Sequence, residues 1–255
     1  MKKIIGLLLC FVVFETVAYC DSFTKDWHWT YRGNIVGETG GLTLVYDQNS
    51  VIGKLYFDSD YVDILVSGTL DGRRIILKAD NGLIIDALFQ EYDTRYGDSK
   101  LDREIIKGKI YINDVDGDIY LDMNYGSAGG LDSMYAIGGI DNDEMVDGFA
   151  QEFKKAVLDK DKETVADMIY YPLRIDSGEI QDKNEFILKF NEIFYPEFFE
   201  AFKKAIPKNM FSKYSGVMMS SDDNVFWIWI SGNNENTSVI SIFTDRIKLG
   251  KNAEK

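Results

Sequence analysis

The chain has 255 residues, with 42 acidic against 28 basic side chains and a net charge of −14. Such a surface repels phosphate backbones and anionic bilayers, which argues against nucleic acid as a partner and leaves a basic protein as the macromolecule it would attract. One histidine and two cysteines exclude multi-histidine and cysteine-rich metal sites.

The first stretch reads as a leader. Met1-Lys-Lys3 is a basic start, and Ile4-Ile-Gly-Leu-Leu-Leu-Cys-Phe-Val-Val-Phe14 is an apolar run too short to span a bilayer comfortably. Small residues place cleavage after Ala18 or after Cys20, which makes residues 1–20 a signal peptide and the mature chain an exported, periplasmic protein of the bacterial kind. The alternatives are secretion beyond the envelope or a lipid anchor through Cys20. Tyr19 is bulky where lipoprotein processing wants a small residue. Once the leader is removed, at most one cysteine remains, so no internal disulfide forms and the folded parts must rest on their cores.

Residues 21–125 follow a period of two. Strands are predicted at Trp27–Val36, Leu42–Tyr46, Val51–Phe57, Val62–Ser67, Arg74–Lys78, Leu83–Tyr92, Ile105–Ile112 and Asp118–Met123. Turn signals separate many of them: Gly40-Gly41, Asp47-Gln-Asn-Ser50, Asp71-Gly72, Asp80-Asn-Gly82 and Asp116-Gly117. Short strands at this spacing predict an antiparallel meander, either a small barrel or a rolled sheet. The charged stretch Asp93–Arg103 reads as a mobile loop. Gly126-Ser-Ala-Gly-Gly130 and Gly138-Gly-Ile-Asp-Asn-Asp143 then mark residues 126–144 as a flexible Gly/acidic linker. Within it, Met134-Tyr-Ala-Ile137 reads as a last strand of the first domain.

From residue 145 to 247 the pattern is α+β. Val146, Phe149, Ala150, Phe153, Ala156 and Val157 make one apolar stripe of a helix. Asp161 can cap a second helix, which Pro172 ends. Leu173-Arg-Ile175 reads as a short strand. Asp182 with Glu185 three residues on opens a third helix, and Pro196 starts a further helical piece. Three strands follow, Gly216–Ser220, Val225–Ser231 and Ser238–Phe243, before a polar tail at 248–255.

Tyr170-Tyr-Pro-Leu-Arg174, together with Gly216-Val-Met-Met219 and Val225-Phe-Trp-Ile-Trp229, in this order of elements, resembles the NTF2-like, cone-shaped fold, in a divergent version found in exported bacterial proteins. The resemblance implies helices over one face of a curved antiparallel sheet. Enzymes of that fold commonly place an Asp, His or Tyr in the cavity as acid or base. The cone-like part of this chain has no histidine, a departure that argues against isomerase or dehydratase chemistry.

Elsewhere the sequence holds no recognisable constellation of reactive groups. His28, the one histidine, lies between Trp27 and Trp29 and would face opposite to both on a strand. No Gly-x-Ser-x-Gly elbow supplies a nucleophile, and Gly37-Glu-Thr-Gly-Gly41 lacks the lysine and helix of a phosphate loop. Asp114-Val-Asp-Gly-Asp118 has its glycine in the fourth place and Tyr125 in the twelfth, which suits a hairpin turn better than calcium. No cofactor is called for, no metal site is proposed, and a non-enzyme is expected. What remains is aromatic surface: Tyr170, Tyr171, Arg174, Trp227 and Trp229 in the second domain, and Trp27 and Trp29 in the first, as binding candidates. Two readings follow. One is an envelope interaction protein, of the immunity or inhibitor type, masking a cell-envelope hydrolase. The other is a cone pocket for a small apolar or saccharide ligand, with little or no catalytic activity. A filled cone with aromatics outside favours the first, and a hollow one the second.

Overall fold

A computed structural model describes residues 27–96, 99–112, 115–221, 225–232 and 237–244. The leader, both cysteines and the polar tail lie outside the described residues. The chain is mostly β, with a closed antiparallel barrel followed by a second, mixed sheet and a few helices, so α+β holds as a coarse description.

The barrel is an eight-stranded meander: β1 Trp27–Ile35, β2 Glu38–Asp47, β3 Ser50–Phe57, β4 Ile64–Asp71, β5 Arg74–Lys78, β6 Ile84–Tyr96, β7 Ser99–Ile112 and β8 Val115–Ala128. Each strand pairs with the next, and β8 closes on β1 from Trp27 opposite Ala128 to Ile35 opposite Ile119. Closure settles the choice between barrel and rolled sheet. The inward residues alternate with outward ones, and Ile35, Leu42, Leu44, Leu55, Ile75, Leu77, Ile85, Ile106, Ile110, Ile119 and Leu121 are buried inside.

Two expectations about this half are corrected. Gly40-Gly41 is not a turn but lies inside β2. A Cβ at Gly40 would meet the Tyr56 carbonyl oxygen at 2.3 Å, and one at Gly41 would meet the Tyr56 ring at 2.5 Å. The glycines are there for close packing. The turn is Val36-Gly37, both at positive φ (53° and 86°), the two-residue geometry that matches strand twist. The segment read as a mobile loop at Asp93–Arg103 instead continues the β6–β7 hairpin, with Tyr92 opposite Arg103 and Tyr96 opposite Ser99. β6 pairs with β5 only as far as Leu88, and β7 with β8 only from Ile105, so the hairpin projects beyond one end of the barrel.

The second unit carries α1 Asp143–Leu158, α2 Lys162–Asp167, β9 Ile169–Ile175, β10 Gly178–Ile180, α3 Lys183–Ile193, α4 Pro196–Phe202, β11 Phe211–Lys213, β12 Gly216–Met219, β13 Phe226–Gly232 and β14 Thr237–Thr244. The sheet order is β10-β9-β14-β13-β12-β11, antiparallel except for β14 beside β9. The caps are local and legible. Asn142, Asp161 and Asp182 accept from the backbone N–H groups of Met145, Thr164 and Glu185, and Glu185 accepts from Gln181 N–H. Helices and inner sheet face enclose Phe153, Phe186, Phe190, Phe194, Phe198, Phe202 and Phe226, all fully buried. Their rings pack edge-on and tilted, for example Phe190–Phe194 at 4.9 Å and Phe198–Phe226 at 5.4 Å. Each such side chain contributes roughly 2–3 kcal/mol through burial.

Residues 126–144 do not hang free as a flexible linker. Gly126–Ala128 belong to β8, Leu131 packs on Val45 of the barrel, and Met134, Tyr135 and Ile140 enter the core of the second unit. The expected strand at Met134–Ile137 is a turn running into a 3-10 helix at Ala136–Gly138. Asp143 fixes it, its carboxylate accepting from the N–H groups of Met134 and Tyr135 at 2.7 and 3.1 Å. Among the described residues no helix is long and apolar enough to cross a membrane.

Candidate functional site

The barrel is packed through most of its length and open at the end from which the β6–β7 hairpin projects. There a recess of about 610 Å³ is lined by Trp29, Tyr46, Leu70, Arg73, Phe89, Glu91, Glu104 and Met123. Strand alternation puts these side chains there. Trp29 and Tyr31 share the inward parity of Ile35, Tyr46 that of Leu42 and Leu44, and Glu104 that of Ile106 and Ile110.

Its floor is polar. Tyr31 donates its hydroxyl to Glu104 Oε2 at 3.0 Å and lies 3.4 Å from the Tyr46 hydroxyl. Burial first, and then the neighbouring Tyr46 and the Glu104 charge, push the Tyr31 phenol far up. Burial likewise raises Tyr46, with the Glu104 charge adding to it. Both hydroxyls are therefore neutral donors at any physiological pH. The walls are aromatic, with Phe89 6.0 Å from Tyr31 and 6.2 Å from Tyr46 between ring centres. At the rim Arg73 meets Glu91 at 3.2 Å, both well exposed. Large apolar faces with a few convergent polar groups are the usual make-up of a small-molecule site.

The predicted site residues fall into three places. Trp29 lines the recess, while Trp27 sits beside it at 6.1 Å between ring centres and is half exposed. Trp227 and Trp229 lie on the outer face of the second sheet, with Phe226, Ile228 and Ile230 on the helix side. In register across that face run Arg174, Ser241, Trp229, Met218 and Phe211, one per strand from β9 to β11, with Phe243 opposite Trp227. Arg174 lies in this row two strands away from Trp229, with β14 between them, and 3.9 Å from Glu179. Tyr170 is exposed, and Tyr171 turns to the helices, donating its hydroxyl to the Ala166 carbonyl at 3.1 Å. The two tyrosines therefore do not join one patch. Tyr46, Phe89 and Glu104 are not singled out by the sequence. The available signal is a carboxylate on the inward parity of β7.

A second polar cluster lies where barrel and second unit meet. Lys208 Nζ reaches the Asp63 carboxylate at 3.1 Å and Asp147 Oδ2 at 3.2 Å, and Tyr135 donates to Asp147 Oδ1 at 2.5 Å. Arg32 pairs with Asp58 through both guanidinium nitrogens, and Asn209 donates to Thr43 at 2.7 Å. Burial pushes the Asp147 carboxyl up to about 6 against the pull of Lys208 and Tyr135. A cavity of about 260 Å³ adjoins this cluster, between Tyr56, Tyr125, Lys208 and Met218. Of these contacts, Lys208–Asp63 and Asn209–Thr43 cross the junction and hold the units together, while Asp63 Oδ1 has no hydrogen-bond partner among the described residues.

His28 faces away from both tryptophans, as strand alternation requires, and is buried under Gly129. Its Nδ1–H donates to the Gly129 carbonyl at 3.0 Å, and burial lowers its pKa. Nε2 has no hydrogen-bond partner among the described residues. No group of three or more His, Cys, Asp or Glu side chains is placed to hold a metal among the described residues. Comparison with protein-family models, curated proteins and solved structures finds no match to this chain.

Proposed function

We propose that this chain is an exported bacterial binding protein that holds a small molecule in the mouth of its barrel and carries out no covalent chemistry on it. The observation that carries the proposal is the aromatic recess with its hydroxyl–carboxylate floor. Its counterpart in the second unit, the interior of the cone, is filled by the phenylalanine cluster. A ligand there would have to displace several buried rings. The ligand reading therefore moves from the cone to the barrel. Export rests on the basic start and apolar run of residues 1–20. The NTF2-like reading of the second unit is supported by the parallel pairing of β9 with β14 in a six-stranded sheet under helices.

Native mass spectrometry of the mature chain, purified without denaturant, tests the proposal. A retained small molecule that is lost from a Trp29→Ala, Phe89→Ala variant supports it. A retained molecule that stays bound in that variant, or a recess that accepts no ligand from a fragment library, refutes it.

A second reading, an immunity-type or inhibitor protein masking an envelope hydrolase, is the one that a filled interior with aromatics on the outer face favours. It draws on Trp227, Trp229 and Phe243 on the outer face of the second sheet. Exposed aromatics anchor protein interfaces, and the acidic surface suits a basic partner. Affinity capture from envelope extract, run beside a Trp227→Ala, Trp229→Ala variant, tests it. A stoichiometric hydrolase held by the native chain and lost from the variant supports that reading.

A further inference from the structure

The recess carries an electrostatic imbalance that narrows its ligand. Glu104 is half-buried, and its one hydrogen-bond donor among the described residues is the Tyr31 hydroxyl, a neutral group. No cation among the described residues pairs with it. Arg73, the lining cation, lies at the rim and is engaged by Glu91. Among the described lining residues, two carboxylates, Glu91 and Glu104, stand with one guanidinium, that of Arg73. A half-buried carboxylate whose described donor is a neutral hydroxyl keeps acceptor capacity that an incoming positive charge can meet with a charge-assisted hydrogen bond. The same recess is lined by the aromatic rings of Trp29, Tyr46 and Phe89. The faces of such rings attract cations, tryptophan most strongly, and several together form a cage for an ammonium group.

Building on the binding role proposed above, we infer that the barrel mouth selects an organic ammonium ion, its charge against Glu104 and its carbon body against Trp29, Tyr46 and Phe89. An anionic ligand would bring a second negative charge beside Glu104, where no described cation is placed to meet it. A neutral apolar ligand would fill the walls but leave the carboxylate without its counter-charge. The volume of about 610 Å³ admits a body larger than a bare ammonium, so the site takes an amine that carries an apolar or aromatic group. No step of bond making follows; the ligand leaves as it came.

The test is titration calorimetry on the full mature chain with three soluble probes of like size: benzyltrimethylammonium, benzyl alcohol and benzoate. The ammonium should bind at least about tenfold tighter than the other two, the factor that one good charge-assisted contact supplies. Glu104→Gln keeps an acceptor for the Tyr31 hydroxyl and the shape of the floor. It should reduce ammonium affinity about tenfold and leave benzyl alcohol unchanged. Trp29→Leu keeps the wall apolar but removes a π face, and should weaken the ammonium selectively. If benzyl alcohol or benzoate binds as tightly as the ammonium, or if Glu104→Gln leaves the ammonium untouched, the inference falls while the small-ligand role stands. If none of the three binds, both fall.

Discussion

Asp147 and Asp63 share one ammonium, that of Lys208, and the consequences are titratable. Asp147 is nearly inaccessible, and burial raises its carboxyl from 3.8 to about 6. Because the folded value lies above the unfolded one, Asp147 favours the folded state most below about pH 4. That contribution is lost as pH rises through about 6. Its range is up to about 3 kcal/mol, since each tenfold change in an acid constant is worth roughly 1.4 kcal/mol. Melting temperatures from pH 4 to 8 should therefore differ in slope between the native chain and Asp147→Asn, which has no proton to take up there. Equal slopes would show that Asp147 does not take up the proton. His28 acts in the opposite sense: its lowered value makes the folded state lose stability as pH falls below about 6.5, so the two slopes partly cancel in the native protein. Lys208→Met should be harsher, costing about 3–5 kcal/mol in urea unfolding, because it strands Asp147 without its counter-charge. The double variant Lys208→Met, Asp147→Leu should recover most of that loss.

Among the elements, periodicity reads the barrel strands and the first and third helices well where one face is buried. The second helix, expected to run to Pro172, instead ends at Asp167, and β9 begins at Ile169. The inward parity of β1, the stripe of α1 and the caps at Asp161 and Asp182 are all visible as spacing. It misreads glycine and charge. Gly40-Gly41 carries a turn's composition but serves the approach of β2 to Tyr56, which only the cross-strand register reveals. Residues 92–96 and 99–103 pair only with each other, and their charge and glycine content disguises the two strands in the sequence. Glu104 does not stand out because nothing in one strand's spacing tells an inward carboxylate at a barrel mouth from a solvated one. The glycines give a paired prediction. Gly40→Ala should destabilise by about 1–3 kcal/mol, since its Cβ would press on the Tyr56 backbone. Gly148→Ala, exposed in α1 with open space around its added methyl, should stabilise by about 1 kcal/mol through helix propensity. Chemical denaturation of the two variants side by side checks both signs.

For the molecule as a whole, two apolar cores are coupled through polar contacts. Leu131 and Tyr135 sit only a few residues apart yet pack into different units, and Lys54 of the barrel grips the Leu131 carbonyl at 2.9 Å and Asp132 at 2.8 Å. Isolated apolar residues among glycines carry no periodicity, which is why this segment has the look of a linker in the sequence. Coupling of this kind predicts a single calorimetric transition for the native chain. Asn209→Ala removes the bond to Thr43 and leaves alanine at a φ of 48°, a conformation asparagine tolerates better. Combined with Lys54→Ala and Lys208→Met it should split the transition in two; one sharp transition in the triple variant would show that these three side chains do not couple the cores.

Both units are fastened in the same way. In the barrel the first strand completes its pairing only with the eighth, and in the second sheet β9 waits for β14, with which it lies parallel. Each clasp joins the earliest strand of its unit to the latest. A growing chain can therefore form its hairpins as they appear but must leave one edge of each sheet unmet until that unit's last residues arrive. Closing so long a loop costs entropy and is slow. A polypeptide cut short before Val115, or before Thr237, keeps nearly all of a unit's apolar residues yet has nothing to shut it, and would display a raw strand edge to its neighbours.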